Sequence, residues 1–432
     1  MKKLYTLLVI LILPAMMLAQ TPDVKWGGLF YIYNFFHSNT DFISTTDDGN
    51  TYMYIHGDFN ANVDFGKGVT AYMAIGAWGQ HGMSPYYGGG LGENVDPSVR
   101  ILQAYFTIND LFDTPLSLRI GKERLLYGDG ALMFDGGEDG AAGVKLMYKS
   151  KMFCADLFYY RYAQMGGIVN VGTGNDVYPG NWNIIGIYPT VKLMDGKIKA
   201  SPYFITRSVQ TSKDETDSPM WYGGRIVANP IDGLDVVLQY VMMGGKNENN
   251  DTDYKGTHLR AGVDFTIPNM PLTVGAAYVS NSGDDATTQD NELYESVTNG
   301  PYTFGFYKDW PGFGPAHLMT TGYGFSGLAP HNATVVNLNV INGHVGVNFN
   351  AFTLRGDIFI YSRNWVPDGV ESAMGNEIAL MLKYNYQNTL TLGFTAGIWS
   401  PGDYQKSMIE FPGSTAKAES ATGGYLWLAK SF

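Results

Sequence analysis

In the stretch YIHGDFNANVDF, Ile55, Gly57, Phe59, Ala61, Val63 and Phe65 share one parity, while His56, Asp58, Asn60, Asn62 and Asp64 share the other. Successive side chains of a β-strand point to opposite faces, so this segment has one apolar and one wet face. The division recurs in HLRAGVDF, where Arg260 and Asp264 oppose Leu259, Ala261, Val263 and Phe265. It recurs again in LRGDIFIY, with Arg355 and Asp357 against Leu354, Ile358 and Ile360, and in EIALMLKY, with Glu377 and Lys383 against Ile378, Leu380, Leu382 and Tyr384. A secreted sandwich or propeller would alternate in the same way, so the connections must discriminate.

Very short connections alternate with long polar ones. The short ones are Gly66 to Gly68, Ser150 and Lys151, Asp195 to Lys197, Ile231 to Gly233, Pro268 to Met270, and Gln387 with Asn388. That asymmetry is the habit of transmembrane barrels, which have short periplasmic turns and long external loops. Rising strands are placed near Lys25, Val69, Leu116, Met152, Ile198, Leu234, Leu272, Phe352 and Leu390. Descending partners begin near Tyr52, Val99, Ala142, Ile184, Met220, His258, Val335, Glu377 and Thr422. The predicted fold is all-β, a transmembrane antiparallel up-and-down barrel of about eighteen strands with both termini on the periplasmic side.

The first residues, MKKLYTLLVILILPAMMLAQ, read as a secretory signal peptide cleaved after residue 19, because the apolar run is short and Pro14 interrupts it. No linker divides residues 20–432, which are read as one barrel domain. No later run reaches the roughly 18 consecutive apolar residues of a membrane helix, whereas a barrel strand needs only about 9 to 11. The formal charge is −12, and loss of Lys2 and Lys3 makes it more negative, which argues against non-specific nucleic-acid binding. The single cysteine, Cys154, can form no intramolecular disulfide. The chain ends in GGYLWLAKSF, an alternating strand whose terminal Phe432 is the residue bacterial outer-membrane barrels commonly present to the assembly machinery. The expected location is therefore the bacterial outer membrane, with its lipid as a partner.

A barrel of this size cannot fill its interior with strand side chains alone, so function depends on what lines the lumen. A base facing lipid at mid-membrane costs about 2 to 4 kcal/mol, so strand bases should face inward. The expected pore-lining bases are Arg119, Lys122, Arg124, Lys145, Arg161, Arg207, Arg225, Arg260, Arg355, Arg363 and Lys383, and the acids Asp58, Asp64, Asp264, Asp357 and Glu377. Most of the 40 acids fall in loops, leaving a moderately basic bore suited to polar or anionic solutes. The opposing reading pairs these charges across strands, with Arg260–Asp264 and Arg355–Asp357 as candidate pairs.

The longest loop, about 281–333, carries Phe304, Phe306, Tyr307, Trp310, Phe313, Tyr323 and Phe325. Such aromatic content argues against disorder and suits either a constriction over the pore or a self-packed cap. The acidic loops fail the EF-hand spacing, and neither HExxH nor GxSxG occurs, so no metal, cofactor or catalytic residue is expected. A hydrolase assembled across strands around His56, His317 or His331 stays open as an alternative, as does a barrel whose loops bind partners at the surface.

The segment Ile101 to Tyr148, with LQAYFTI, LSLRIGKERLLYGDG and DGAAGVKLMY, resembles the alginate-export family of outer-membrane porins. Gly121, Leu125, Tyr127 and Gly128 occupy the places of that family's GRQ-L-YG pattern, with Lys122 where Arg is usual. Phe134, Asp135 and Gly136 resemble the introduction of its returning strand, although GEDGAA intervenes. The resemblance implies an eighteen-stranded channel for an anionic polysaccharide or small sugar acids. In this segment Arg119 and Lys145 are assigned inward and KERLLYGDGALMFDGGEDG to the rim. Lys122 and Arg124 conflict in parity with Arg119, so they should lie above the lipid or follow a bulge at Gly121.

Overall fold

A computed structural model describes residues 22–39, 43, 49–82, 95–134, 141–170, 177–210, 216–248, 250–298, 337–387 and 389–432. The expected leader lies outside these residues. The chain rises and falls through β1 (Asp23–Ser38), β2 (Asn50–Asp64), β3 (Val69–Gly82), β4 (Val95–Ile108) and β5 (Leu116–Glu123). After an inner hairpin, β6 (Leu126–Tyr127) and β7 (Met133–Phe134), it resumes with β8 (Ala141–Lys149), β9 (Phe153–Asn170), β10 (Val177–Leu193), β11 (Ile198–Gln210), β12 (Thr216–Ala228) and β13 (Leu234–Asn247). The two-residue β14 (Thr252–Asp253) adds to the end of β13. The wall continues with β15 (Thr257–Thr266), β16 (Leu272–Asn281), β17 (Leu338–Phe349), β18 (Phe352–Ser362), β19 (Ala373–Tyr386), β20 (Leu390–Pro401) and β21 (Ala421–Ser431).

Setting aside β6, β7 and β14, eighteen antiparallel strands pair with their sequence neighbours, and β1 pairs β21 to close the ring. The predicted starts at Val69, Leu116, Ile198, Leu234, Leu272, Phe352 and Leu390 coincide with strand starts. Descending strands begin earlier than predicted, because the external hairpins continue pairing above the apolar belt. The predicted start at Val335 lies outside the described residues, and β17 is described from Leu338.

Closure extends past β21. The Gly28 amide donates to the Phe432 carbonyl at 3.0 Å and the Phe432 amide donates back at 3.1 Å. A Cβ at Gly28 would meet the Phe432 ring at 2.4 Å and the Asp58 carbonyl oxygen at 2.5 Å, so only glycine allows that approach. At the short-turn end Asp195, Asn269 and Asn350 take left-handed conformations that tight hairpins demand. Asp64, expected in the pore, instead caps its turn there by accepting from the Gly66 amide at 2.8 Å.

Outward parity carries Phe59, Ile120, Leu157, Ile185, Phe204, Leu238, Ile341, Leu380 and Leu426, all exposed, which is a face built for lipid. The inward face is mixed. Tyr127, Leu132 and Met133 of the inner hairpin pack with Phe158, Tyr160, Ile184, Trp221, Met243, Tyr294 and Val297 in one buried cluster. On the opposite wall Val340, Phe359, Tyr361 and Trp399 pack with Ile409 of a short helix, Asp403–Ile409. The barrel thus packs its apolar core inside the ring, with loops supplying what the strands cannot.

Candidate functional site: a narrowed, basic bore

The segment after β5, expected at the rim, folds inward instead. Gly128, Asp129 and Gly130 all have positive φ, which reverses the chain so that Leu126 pairs with Phe134 and Tyr127 with Met133. The Tyr127 ring lies 5.1 Å from Phe158 and 4.9 Å from Tyr188, and its hydroxyl donates to Asp156 at 2.8 Å. Burial, with Asp156 adding to it, pushes this phenol well above its ordinary pKa, so it remains the donor.

The first part of the long loop, 282–298, closes over this hairpin. The Tyr294 hydroxyl donates to the Ala131 carbonyl at 2.7 Å and the Val297 amide to the Leu132 carbonyl at 2.9 Å. The wall grips the same loop: the Trp221 indole N–H donates to the Glu295 carbonyl at 2.7 Å and Arg207 to the Val297 carbonyl at 3.1 Å. Arg207 stands 3.8 Å from Asp217 and 3.9 Å from Glu295. Burial holds the Glu295 carboxyl above the usual carboxylate range against the pull of Arg207, and Asp217 raises it further. The loop's aromatic half, with Phe304, Phe306, Tyr307, Trp310, Phe313, Tyr323 and Phe325, lies outside the described residues.

Two clusters give the bore its charge. Arg119 and Lys145 face each other in register, and both bind one oxygen of the buried Glu123, at 2.7 and 2.9 Å. The Tyr160 hydroxyl donates to the other oxygen, Arg119 also donates to Thr107 at 3.1 Å, and its guanidinium lies 4.2 Å from the Tyr105 ring centre. Further round, Arg225, Gln239 and Arg260 occupy one row across β12, β13 and β15. Arg225 and Arg260 both bind Asp129 of the inner hairpin, at 2.5 and 3.0 Å. Each cluster sets two cations against one carboxylate and keeps a net positive charge.

A third network runs along β15, β17 and β18. His344 contacts Asp264 at 2.6 Å and Asn342 at 2.9 Å, Asn342 donates to Asp357 at 3.1 Å, and Asp357 accepts from Arg355 at 3.0 Å. The expected Arg355–Asp357 pair therefore forms, whereas Arg260 turns to Asp129 and Asp264 turns to His344. Glu377 is buried on the inward face, with the Tyr361 hydroxyl donating to it at 3.4 Å. Lys383 also has inward parity, opposite Thr353 and Gly393.

The parity conflict resolves without a bulge at Gly121. Register with β4 and β8 runs unbroken through it; the nearby bulge lies on β4, whose Leu102 has no partner opposite Ala74 and Ile75. Lys122 consequently stays outward with Ile120, and its ammonium donates to the Ile101 carbonyl at 2.7 Å. Arg124, beyond the end of β5, turns inward to 3.7 Å from Asp58, which also binds His56. Arg161 is outward too, sharing the parity of Leu157 and Tyr159, so it and Lys122 leave the set of pore-lining bases. Arg363 lies past β18, its guanidinium 5.1 Å from the Tyr404 ring centre of the helical loop. Sequence reasoning missed Asp129, Tyr127 and Tyr294 as functional residues. The signal available was YGDG between apolar residues, a turn with no reason to be apolar on both sides unless buried.

No family model matches the chain, and no curated protein matches it either. Solved structures do resemble it. A BenF-like porin from Pseudomonas fluorescens Pf-5 matches with a TM-score of 0.60 at 12% identity, over 95% of this chain and 98% of that one. Pseudomonas aeruginosa OpdK with vanillate matches with a TM-score of 0.58 at 11% identity, and OccK2 (OpdF) in complex with glucuronate with 0.57 at 9%, each over 95% of this chain and 98% of the other. The likeness is one of fold: this chain has the closed, eighteen-stranded architecture of the outer-membrane porins.

Proposed function

We propose that the chain is a multi-pass outer-membrane channel for passive passage of small anionic solutes, exported by its N-terminal signal and folded by the assembly machinery through Phe432. The observation that carries this reading is the pair of two-base, one-acid clusters, Arg119–Lys145–Glu123 and Arg225–Arg260–Asp129, on the wall of a bore narrowed by inward loops. A solute carboxylate can take up the uncompensated positive charge at each cluster without a deep binding well, which passage requires. Carboxylate ligands in two similar barrels, vanillate and glucuronate, support the same solute class here. The geometry favours a small acid over the polyuronate chain suggested by the alginate-export resemblance, since two separate positive clusters in a bore narrowed by inward loops give no continuous basic track for a long polyanion. Catalysis plays no part in this reading.

The test is ion selectivity in planar bilayers, followed by liposome swelling with neutral and acidic sugars and aromatic acids. Anion preference, with faster entry of monocarboxylates than of neutral sugars of equal size, is the expected result. Absence of conductance would overturn the proposal.

A further inference from the structure

The acids of the two positive clusters reach their bases differently. Glu123 ends the wall strand β5 and its side chain is only 5% exposed, so it belongs to the wall. Asp129 is delivered by a separate element, and its side chain is 36% exposed. Arg225 of β12 and Arg260 of β15 flank Gln239 of β13 in one inward row. Strands lie about 4.8 Å apart, so the two arginine Cα atoms are about 10 Å apart. Their heads nevertheless converge: Arg225 Nη2 and Arg260 Nη1 both donate to a single oxygen, Asp129 Oδ2, at 2.5 and 3.0 Å. The hairpin tip sits against the residue between them, since a Cβ on Gly128 would meet Gln239 Nε2 at 2.7 Å.

Two guanidiniums aimed at one carboxylate oxygen are what a wall needs in order to hold an acid from solution. The wall supplies both cations, and only the acid comes from elsewhere. An acid for Arg260 stands on its own strand with the same inward parity, Asp264, yet that residue contacts His344 at 2.6 Å instead. Nor does the turn require an acid. Asp129 has φ 52° and ψ 28° between two glycines of positive φ, a backbone that Gly or Asn would satisfy equally well. What the aspartate adds at the tip is its carboxylate, placed where a solute's carboxylate would go.

We propose that Asp129 is a tethered stand-in for the solute's carboxylate and the specificity-determining residue of the bore, an inference that rests on the channel reading above. Seated between Arg225 and Arg260, it keeps passing solutes out of the strongest anion position and leaves one net positive charge to draw them on. A monocarboxylate matches that charge. A dicarboxylate brings its second group against Asp129 and is disfavoured. With the seat vacated, both guanidiniums turn to the solute, and a dicarboxylate is bound rather than passed.

The experiment titrates the full-length barrel, purified in neutral detergent, with succinate by calorimetry, and reads the same affinity in planar bilayers as block of the chloride current. Asp129→Asn removes the charge but leaves an oxygen in the seat, whereas Asp129→Gly vacates it, so charge and occupancy separate. The lost charge acts on both groups of succinate, at about 4 and 8 Å through water, and should tighten binding about tenfold in either variant. The vacated seat adds a charge-assisted hydrogen bond, so Asp129→Gly should bind about tenfold more tightly again. Asp129→Ala, which empties the seat without a third glycine in the tip, should match it. Arg260→Gln placed in the Asp129→Gly protein should return the affinity to near the wild-type value. Equal affinity in the Asn and Gly variants, or a gain that survives Arg260→Gln, would overturn the assignment. A wild-type barrel without conductance or anion preference, but with this order of affinities intact, would sink the channel reading alone.

Discussion

Replacing Asp129 by Asn changes one charge in the bore while keeping the shape of the inner hairpin. In the wild type its carboxylate neutralises one of two guanidiniums, Arg225 at 2.5 Å and Arg260 at 3.0 Å, so the cluster carries one net positive charge and the variant two. The Asp129 side chain is 36% exposed, so water screens the cluster and an interior dielectric does not apply. A solute carboxylate about 4 Å from an added, water-screened charge gains about 1 kcal/mol, a factor of about five in occupancy. The anion-to-cation permeability ratio, from reversal potentials across a planar bilayer, should therefore rise about fivefold in dilute salt. At about 1 M salt the screening length falls to about 3 Å and most of the gain should vanish. An unchanged ratio, or a gain that survives high salt, would refute the argument. Loosening of the hairpin alone would raise conductance without changing selectivity, so the two effects separate in one recording.

Tyr127→Ala should free the hairpin from Phe158 and Tyr188 at a cost of about 3 to 5 kcal/mol of docking, seen as larger, noisier single-channel openings with the barrel's thermal transition little moved. Tyr294→Phe removes only the bond to the Ala131 carbonyl and should weaken docking by about 1 kcal/mol, read as faster amide exchange at residues 131–133. Docking raises the Glu295 carboxyl's pKa through burial, so its contribution to docking is fully present below the undocked pKa and is lost as pH rises through the docked one. Acidification should therefore hold loop 282–298 more tightly and lower conductance, and Glu295→Gln should flatten that dependence above the ordinary carboxylate pKa. Gly28→Val should block closure against Phe432 and Asp58, giving barrels that fail to show heat-modifiable migration in gels.

The wall was legible because lipid on one side and a wet interior on the other impose a strict period of two, and the turns are too short to blur it. Arg119, Lys145, Arg207, Arg225, Arg260 and Arg355 could be placed inward from parity alone. Lys122 and Arg161 were misplaced by the premise that every strand base avoids the lipid side, which fails near a rim where a polar headgroup can replace water. The interior escaped for a different reason. Whether a loop folds in or out depends on apolar partners far away in sequence, such as Tyr294 for Ala131, and no local pattern encodes that pairing. Arg260 illustrates it: the acid on its own strand, Asp264, was the nearest candidate by sequence, yet the acid that binds it comes from a hairpin 131 residues away.

That distance bears on the order of assembly. The bond from Tyr294 to the Ala131 carbonyl joins residues 163 apart, so the contact carries a large loop-closure entropy that the intervening wall reduces once it is formed. The ring of strands is the same width with or without that bond, but its bore is narrower with the two loops seated than it would be without them. On the proposed function, permeability is in that sense a property of loop seating as much as of the ring of strands.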